Sequence, residues 1–351
     1  ILLFLTRWTY VGLGSIFLFV GAAAYGSHWA FDNQLLLIDI TAPIAGLILV
    51  SLHAYGVKFV SEFLQKQQIK KQFGTYLSPA MVEKLQKNPE LLALGGESRE
   101  LSIMFTDVRG VTTISEHYGK DVQGLTKIMN RYMTAMTGKI LENEGTLDKY
   151  IGDAQMAFWN APLDDKDHAL NAVKTGLEML GDLDGFNKEI ASEGIPPFGM
   201  GLGINTGSVV VGNMGSRQRF DYTCLGDSVN LASRLEGQSK PYGVKMVLGE
   251  RTAELVRGKY AVIELDNIAV KGKNEGVKIY TIGDTIKYGH NEFLKEYYRG
   301  NWNKAIEWAK GLAEDPKVTI KDYYLKMIER MEEGILSTFL AGEKLNIVDN
   351  Q

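Results

Sequence analysis

Two acidic residues of the sequence are placed where they could bind a divalent cation. Asp107 ends the apolar run LSIMFTD, and Asp153 lies in a turn between the segments LDKYI and AQMAFW. Mg²⁺ takes one or two protein carboxylates and fills its other positions with phosphate oxygens and water. The pair predicts a magnesium site suited to phosphoryl transfer, in which metal ions stabilise the attacking and leaving oxygens. The alternative is two structural turn aspartates, which are common.

A third segment carries an amide and a guanidinium that could stabilise negative charge. Asn230 and Arg234, in DSVNLASRLEG, fall on one face of a helix predicted to open near Ser228, because residues four apart are neighbours on a helix. Donors fixed where charge develops can each stabilise a transition state by roughly 3–4 kcal/mol. Together with the carboxylate pair, this segment indicates one polar site rather than unrelated turn residues.

Predicted strands and helices alternate over the stretch that holds these residues, 100–284. LSIMFTDV is a predicted strand, GLTKIMNRYMTAMTGKILENEG a long amphipathic helix, and LDKYIGDAQMAFW two short strands around a turn. A helix over 166–190 and the strand FGMGLGINTGSVVVG follow. Alternation without strict βαβ spacing favours a mixed sheet.

The N-terminal region, 1–57, is apolar enough to be embedded in a membrane. Residues 8–31 and 41–57 contain no Asp, Glu, Lys or Arg, and each stretch can cross about 30 Å of hydrocarbon as a helix. We expect transmembrane helices at about 8–29 and 35–57; the alternative is two buried helices of a soluble domain. The preceding ILLFL is expected to end an earlier span.

Lysines follow the second predicted span and place that side of the membrane in the cytoplasm (Lys58, Lys66, Lys70 and Lys71). This favours a multi-pass protein of the cell inner membrane whose remaining chain is cytoplasmic. Residues 58–99 are expected to be a helical linker. Fewer than three clean heptads leave two interpretations open for residues 54–73, a short dimeric coil and a single amphipathic helix.

The C-terminal residues, 285–351, are predicted to form a helical tail. Two amphipathic helices meet at Arg299-Gly300-Asn301, and a third follows Asp315-Pro316. The pattern resembles one tetratricopeptide-like unit. Because a lone unit of this kind leaves an apolar face uncovered, we expect the tail to dock on the preceding domain or on a partner.

Composition excludes several classes of protein. The 351 residues include 38 Lys+Arg and 42 Asp+Glu, a formal net charge of -4. This balance argues against a disordered chain and against a strongly basic protein that binds nucleic acid. One cysteine, Cys224, excludes an intramolecular disulfide framework and a cysteine-based zinc site. The sequence also lacks HExxH zinc spacing and a GxxxxGKS/T phosphate loop.

Four motifs together resemble the catalytic domain of the class III nucleotidyl cyclases: FTDVRGVTTISE, LDKYIGDAQMAFWNAP, GINTGSVVVGNMGS and GDSVNLASRLEG. The resemblance runs from roughly Phe73 to Asp284. It implies an α+β fold with a ferredoxin-like βαββαβ core and a head-to-tail homodimer with active sites at the interface. The apolar N-terminus resembles a bacterial membrane-anchored subgroup with a periplasmic sensor. We expect such a sensor, and other residues upstream of Ile1, to be missing from this chain.

The resemblance also implies how metal and phosphates would be held. Asp107, Asp153 and the carbonyl of Val108 match the ligands of two Mg²⁺ ions per site, which Mn²⁺ can replace. Lys271 matches the lysine that grips the terminal phosphates, with Lys273 as the alternative. The backbone amides that would cradle the triphosphate, as successive turn amides can, belong to Gly110, Val111 and Thr112. Val111 departs from the family pattern, which usually has Phe there.

The implied base-reading pair is Lys149 and Thr223, and many family members have Asp at the second position. A lysine that donates to adenine N1 and a hydroxyl that accepts from the 6-amino group fit ATP. Family members that select guanine usually carry Glu and Cys instead. Asn230 and Arg234 match the residues that orient the ribose and stabilise charge on the α-phosphate.

The function predicted from these matches is that of an adenylate cyclase, which makes 3′,5′-cyclic AMP and pyrophosphate from ATP. Two alternatives are a guanylate cyclase and a catalytically silent, membrane-tethered dimerisation module. Silent homologues usually lack a metal carboxylate or the Asn/Arg pair, and all four residues are present here.

Overall fold

The computed structural model describes residues 9–74, 82, 86–87, 96–215, 220–268 and 276–348. Contacts divide the chain into two units, residues 1–75 and 76–351. Of the predicted linker, 58–99, residues 75–81, 83–85 and 88–95 lie outside the described residues, and so does Lys271.

The described part of the first unit, residues 9–74, contains two helices, α1 (Thr9–Gln34) and α2 (Thr41–Phe73). The second helix begins later than the predicted residue 35, because Leu35 has a left-handed φ of 51° and the Asp39 carboxylate accepts a hydrogen bond from the Thr41 N–H. α2 then continues without a break for 33 residues, about 50 Å. The span and the helix predicted after it are therefore one helix.

Among the described residues, one helical segment, Thr41–Lys70, is long and apolar enough to cross a membrane by length and composition. Side chains of the first helix are described only from Ile16 onward. The span predicted at 8–29 therefore stays a prediction.

The second unit is built on an eight-stranded sheet. Its strands are β1 (Glu97–Arg109), β2 (Thr146–Ile151), β3 (Ala154–Trp159), β4 (Gly199–Gly215), β5 (Phe220–Leu225), β6 (Met246–Gly249), β7 (Val262–Ile268) and β8 (Val277–Ile282). The order is β2-β3-β1-β4-β6-β8-β7, and β5 pairs with β4. Because β4 and β6 are parallel while the other pairs are antiparallel, the expected mixed sheet is confirmed.

Five helices connect these strands: α3 (Val111–Tyr118), α4 (Val122–Glu142), α5 (His168–Ala191), α6 (Asp227–Gln238) and α7 (Glu250–Val256). The succession β1-α4-β2-β3-α5-β4 with neighbours in the order 2-3-1-4 is the βαββαβ arrangement that the resemblance implied. The apolar stripes of α4 and α5 pack together with residues of β1, β3 and β4 in one buried cluster that includes Tyr132, Val173 and Ile204.

Helix α6 lies unusually close to β4 because β4 carries glycine at the points of contact. A Cβ on Gly203 would stand 2.2 Å from the backbone N of Glu236 and 2.5 Å from the carbonyl of Ala232. A Cβ on Gly201 would stand 2.5 Å from the Glu236 carboxylate and from Ser239 Oγ. The spacing GMGLG in the sequence therefore sets the distance between this helix and the sheet.

The predicted tail forms three helices, α8 (Lys287–Tyr298), α9 (Trp302–Glu314) and α10 (Lys321–Val348). Their apolar residues share a buried cluster with Leu235 of α6, Val247 of β6 and Leu265 of β7. The expectation that the tail docks on the preceding domain is therefore confirmed, because docking covers the apolar face that a lone unit would expose. Its likeness to a tetratricopeptide unit stays a prediction.

Buried polar contacts fix the tail in place. The hydroxyl of Tyr323, whose side chain is fully buried, donates to the carbonyl of Leu265. His290 Nε2 lies 2.8 Å from the carbonyl of Glu264, and its Nδ1 lies 2.8 Å from the Tyr324 hydroxyl. Burial lowers the pKa of His290, which favours the neutral ring in this position.

Candidate active site

The two predicted metal-binding carboxylates lie close together at one edge of the sheet. Asp107 is near the end of β1, Asp153 is in the β2–β3 turn, and the antiparallel pairing of Thr106 with Gln155 brings the two positions side by side. Both residues are half-buried. Burial, and then the charge of Asp153, raise the pKa of the Asp107 carboxyl.

This pair of carboxylates suits a divalent cation. Asp107 and Asp153 lie close enough that the charge of Asp153 adds to the rise in the pKa of Asp107, and a pair of neighbouring carboxylates is the donor set that Mg²⁺ takes from a protein. The described residues contain no group of three or more His, Cys, Asp or Glu placed to hold a metal. Any bound cation would therefore complete its shell with backbone carbonyls, water or substrate oxygens, and the carbonyl of Val108 is the predicted backbone ligand.

The segment predicted to cradle phosphates is the start of a helix. Gly110 is the N-cap of α3 with a φ of 92°, a left-handed conformation that favours glycine. Val111 and Thr112 occupy the first turn, which holds no acidic residue. The amides of a first helical turn have no partner within the helix and attract anions. The predicted succession of turn amides is therefore present as a helix N-terminus beside Asp107.

The predicted base-reading residues are brought together by a third residue, Asp148, which the sequence analysis missed. The Thr223 hydroxyl donates to Asp148 Oδ2 at 2.5 Å, and Lys149 Nζ lies 3.4 Å from Asp148 Oδ1. The Asp148 side chain is fully buried, whereas that of Lys149 is 43% exposed. Lys149 on β2 and Thr223 on β5 therefore belong to one polar group.

A bulge in β2 makes this arrangement possible. Leu147 pairs with Ala157 of β3 and Lys149 pairs with the next residue, Met156, so that Asp148 is the extra residue. In a regular strand Asp148 and Lys149 would point to opposite faces. Bulges re-aim side chains in this way and are frequent next to active sites.

Asn230 and Arg234 lie on the exposed side of α6, while Val229, Ala232 and Leu235 are buried beneath it. Glu236 is on another side of the helix and close enough to Asp107 that the Asp107 charge adds to the rise in its pKa, after burial. Residues two apart on a helix do not face each other. Arg234 therefore lies on a different side of α6 from Glu236, the residue that approaches Asp107.

A second group that sequence reasoning missed ties α6 to β1. The Arg109 guanidinium donates to Ser239 Oγ at 2.5 Å and lies near both Glu236 and Asp107. Burial lowers the pKa of Arg109, and these two carboxylates oppose that effect. No sequence motif predicted this contact, because Arg109 and Ser239 lie 130 positions apart in the sequence.

Within one protomer the structure thus forms two separate groups of predicted residues. The carboxylates and the turn predicted to cradle phosphates form one, and the Lys149–Thr223 pair forms the other, with the Asn230/Arg234 face exposed on α6. Lys271 lies outside the described residues, so its role at the terminal phosphates stays a prediction.

Comparison with known proteins identifies the fold. The sequence model of the adenylate and guanylate cyclase catalytic domain matches residues 96–284, more than half of the chain. The chain belongs to this class III cyclase family. Because the family includes both adenylate and guanylate cyclases, membership alone does not decide the nucleotide.

Two curated members of the cyclase family show the extent of the similarity. Adenylate cyclase 1 of Rhizobium meliloti is 30% identical over 215 residues, which are 61% of this chain and 32% of that protein. An adenylate cyclase of Anabaena cylindrica is 33% identical over 220 residues, 60% of this chain and 41% of that protein. The chain thus spans less than half of the length of these relatives.

A solved structure from the cyclase family agrees with the fold. The adenylyl cyclase CyaB from P. aeruginosa is 34% identical and superposes with a TM-score of 0.51. The match covers 55% of this chain and 98% of that one. The shared part is thus the catalytic domain.

Proposed function

We propose that this chain is an adenylate cyclase whose active sites are shared between the protomers of a head-to-tail homodimer. One observation carries the proposal: Asp107 and Asp153 lie together, while Asn230 and Arg234 are exposed on a different side of α6 from Glu236, which approaches Asp107. A second protomer in head-to-tail contact would bring each exposed pair to the other's carboxylates, and two-fold symmetry makes both sites equivalent. The named relatives that are adenylate cyclases support ATP as substrate.

In the proposed reaction the ribose 3′-oxygen attacks the α-phosphorus of ATP. The O3′–Pα bond forms, the bond from Pα to the bridging oxygen breaks, pyrophosphate leaves, and the 3′-hydroxyl proton is released. Asp107 and Asp153, with the carbonyl of Val108, would hold two Mg²⁺ ions, or Mn²⁺ in their place. When bound, these ions supply charge that lowers the pKa of the 3′-hydroxyl and neutralises the triphosphate.

The remaining roles fall to side chains and amides that hold the substrate in line. The first amides of α3, at Gly110, Val111 and Thr112, would bind triphosphate oxygens, and Lys271 their terminal group. Asn230 would orient the ribose. Arg234 would donate to the α-phosphate as its charge develops, where such donors contribute roughly 3–4 kcal/mol. Lys149 and Thr223 would bind the N1 and 6-amino positions of adenine.

The domain limits and the location of the enzyme are part of the same proposal. We place the membrane region at 1–57, the linker at 58–99, the catalytic domain at 100–284 and the tetratricopeptide-like tail at 285–351. The apolar segment Thr41–Lys70 supports a membrane anchor. Lysines at its C-terminal end favour an inner-membrane protein with a cytoplasmic catalytic domain.

Complementation between inactive variants tests the shared site. Asp107→Ala and Arg234→Ala are each expected to abolish cyclic AMP formation by the full chain in detergent. Co-expressed in equal amounts, they should recover about a quarter of wild-type activity, because half of randomly paired dimers contain one intact site.

The matched control mixes Asp107→Ala with Asp153→Ala. Because both changes affect the same half-site, no mixed dimer contains an intact site, and no activity should return. Recovery in this control, or none in the first mixture, would overturn the shared-site assignment. Faster formation of cyclic GMP than of cyclic AMP by the wild type would favour a guanylate cyclase.

A further inference from the structure

We propose that Asp148 is a positioning residue that sets the nucleobase specificity of the site by fixing the direction of the Thr223 hydroxyl. The proposal rests on the adenylate cyclase function and adds a residue that no family motif assigned to the base. It commits the pocket to a purine with an amino group at C6.

The hydrogen bond between the two residues determines which groups Thr223 can bind. A threonine hydroxyl has one proton, and a carboxylate can only accept. Because Thr223 donates that proton to Asp148 Oδ2 at 2.5 Å, its remaining lone pairs can only accept from another group. The 6-amino group of adenine is a donor and satisfies them. A 6-oxo group is an acceptor and would leave two acceptors facing each other, which is costly in a buried site.

The surroundings of Asp148 prevent its side chain from turning away from Thr223. Its side chain is fully buried at the β2 bulge, so the carboxylate has no exit to solvent. Burial raises the pKa of Asp148, whereas the Thr223 hydroxyl and the Lys149 ammonium oppose that rise. Lys149 Nζ, 3.4 Å from Oδ1, is thus held near Thr223 by the same carboxylate. One buried residue therefore aligns both base-reading groups.

Asp148 Oδ1 is also one of the few buried polar atoms without a hydrogen-bond partner among the described residues. A buried carboxylate oxygen of this kind is expensive unless it serves a purpose. Closing the site over a nucleotide would shorten the 3.4 Å contact with Lys149 and satisfy it. We therefore expect the Lys149–Asp148 contact to become ordered when the nucleotide base binds.

Asp148→Asn tests the proposal, because an amide can donate to Thr223 and so release the threonine proton toward a 6-oxo group. Three nucleotides vary the group at C6: ATP with an amino group, inosine triphosphate with a 6-oxo group and a proton on N1, and purine riboside triphosphate with hydrogen at C6 and the N1 acceptor kept. In the full chain, we expect the preference for ATP over inosine triphosphate in kcat/KM to fall about tenfold, or 1.4 kcal/mol. Thr223→Ala should lower the preference for ATP by a similar factor. The double variant Asp148→Asn/Thr223→Ala should have the same preference as Thr223→Ala alone.

Asp184→Asn is the charge-matched control, because Asp184 is exposed on α5 and should leave the preference unchanged. Thermal unfolding shows whether Asp148→Asn folds, and Thr223→Ser should keep the wild-type preference. An equal loss for all three nucleotides would mean a merely structural role and would overturn the proposal.

Binding separates this proposal from the catalytic one. The preference for ATP over inosine triphosphate can also be measured without turnover, as the ratio of the dissociation constants of their non-hydrolysable α,β-methylene analogues. We expect Asp148→Asn to lower this binding preference about tenfold, as it lowers the preference in kcat/KM. A wild type that binds with the expected preference yet makes no cyclic nucleotide would contradict the cyclase function alone. A binding preference that Asp148→Asn leaves intact would contradict the role of Asp148.

Discussion

Substituting Gly203 by alanine should inactivate the enzyme by moving α6 rather than by removing a reacting group. The new Cβ would lie 2.2 Å from the backbone N of Glu236, and an ordinary contact begins near 3.4 Å. The obstacle is main chain and cannot rotate away, so the helix must shift by about 1 Å. Overpacking of this kind typically costs about 1–3 kcal/mol of stability.

The shift matters for activity because α6 carries Asn230 and Arg234. A misplacement of about 1 Å from a change remote from the chemistry can lower the rate by about 100-fold. We therefore expect kcat for cyclic AMP formation to fall by about that factor at saturating ATP. Gly201→Ala should be milder, since its Cβ would meet the ends of the Glu236, Ser239 and Arg109 side chains, which can move.

The assay compares kcat with the thermal unfolding temperature for the series. Gly185→Ala is the control, because that helix glycine has open space around its Cβ position and alanine there should stabilise by at most about 1 kcal/mol. Its kcat should equal that of the wild type. If Gly203→Ala kept both wild-type kcat and wild-type stability, the spacing of α6 from β4 would not control the site.

Two further predictions follow from buried charge. Asp107→Asn should raise the unfolding temperature measured without divalent cations, because burial and the charge of Asp153 make the ionised carboxylate unfavourable in the folded protein. Thermal scans with Mg²⁺ should show a higher unfolding temperature for the wild type and no change for this variant. For His290, the folded-state pKa lies below the unfolded value, so its stabilisation is complete above about pH 6.5 and declines as pH falls toward the lower folded pKa. His290→Gln should flatten that acid-side loss in denaturant titrations, and the likewise buried His168 should contribute with the same sign in both proteins.

The position of the carboxylate half of the proposed site was predictable from local patterns. Asp107 follows an apolar strand and Asp153 lies in a hairpin turn, and both signals depend only on neighbours in the sequence. Antiparallel pairing of β1 with β3 then places the two side by side with no further information. The same holds for the helix of Asn230 and Arg234, whose spacing fixes a shared face.

Asp148 was not predictable, because strand alternation assigns it to the face opposite Lys149. The bulge that reverses this assignment depends on how β2 pairs with β3, and no turn residue or glycine marks it in LDKYI. For the tail, the apolar stripe was predictable and the residues that cover it were not. Its amphipathic helices indicated an apolar stripe, but the stripe does not reveal that Leu235, Val247 and Leu265 would cover it.

The tail also changes what counts as the catalytic unit. A fragment that ends at residue 284 would expose the cluster formed by β6, β7 and α6, and it would leave Leu265 without the Tyr323 hydroxyl that its carbonyl accepts. Leu235, in that cluster, lies on the same helix as Arg234. The packing that holds the tail therefore also supports the helix that carries Asn230 and Arg234, the proposed transition-state residues. We therefore expect loss of the tail to displace α6 and to lower the proposed cyclase activity.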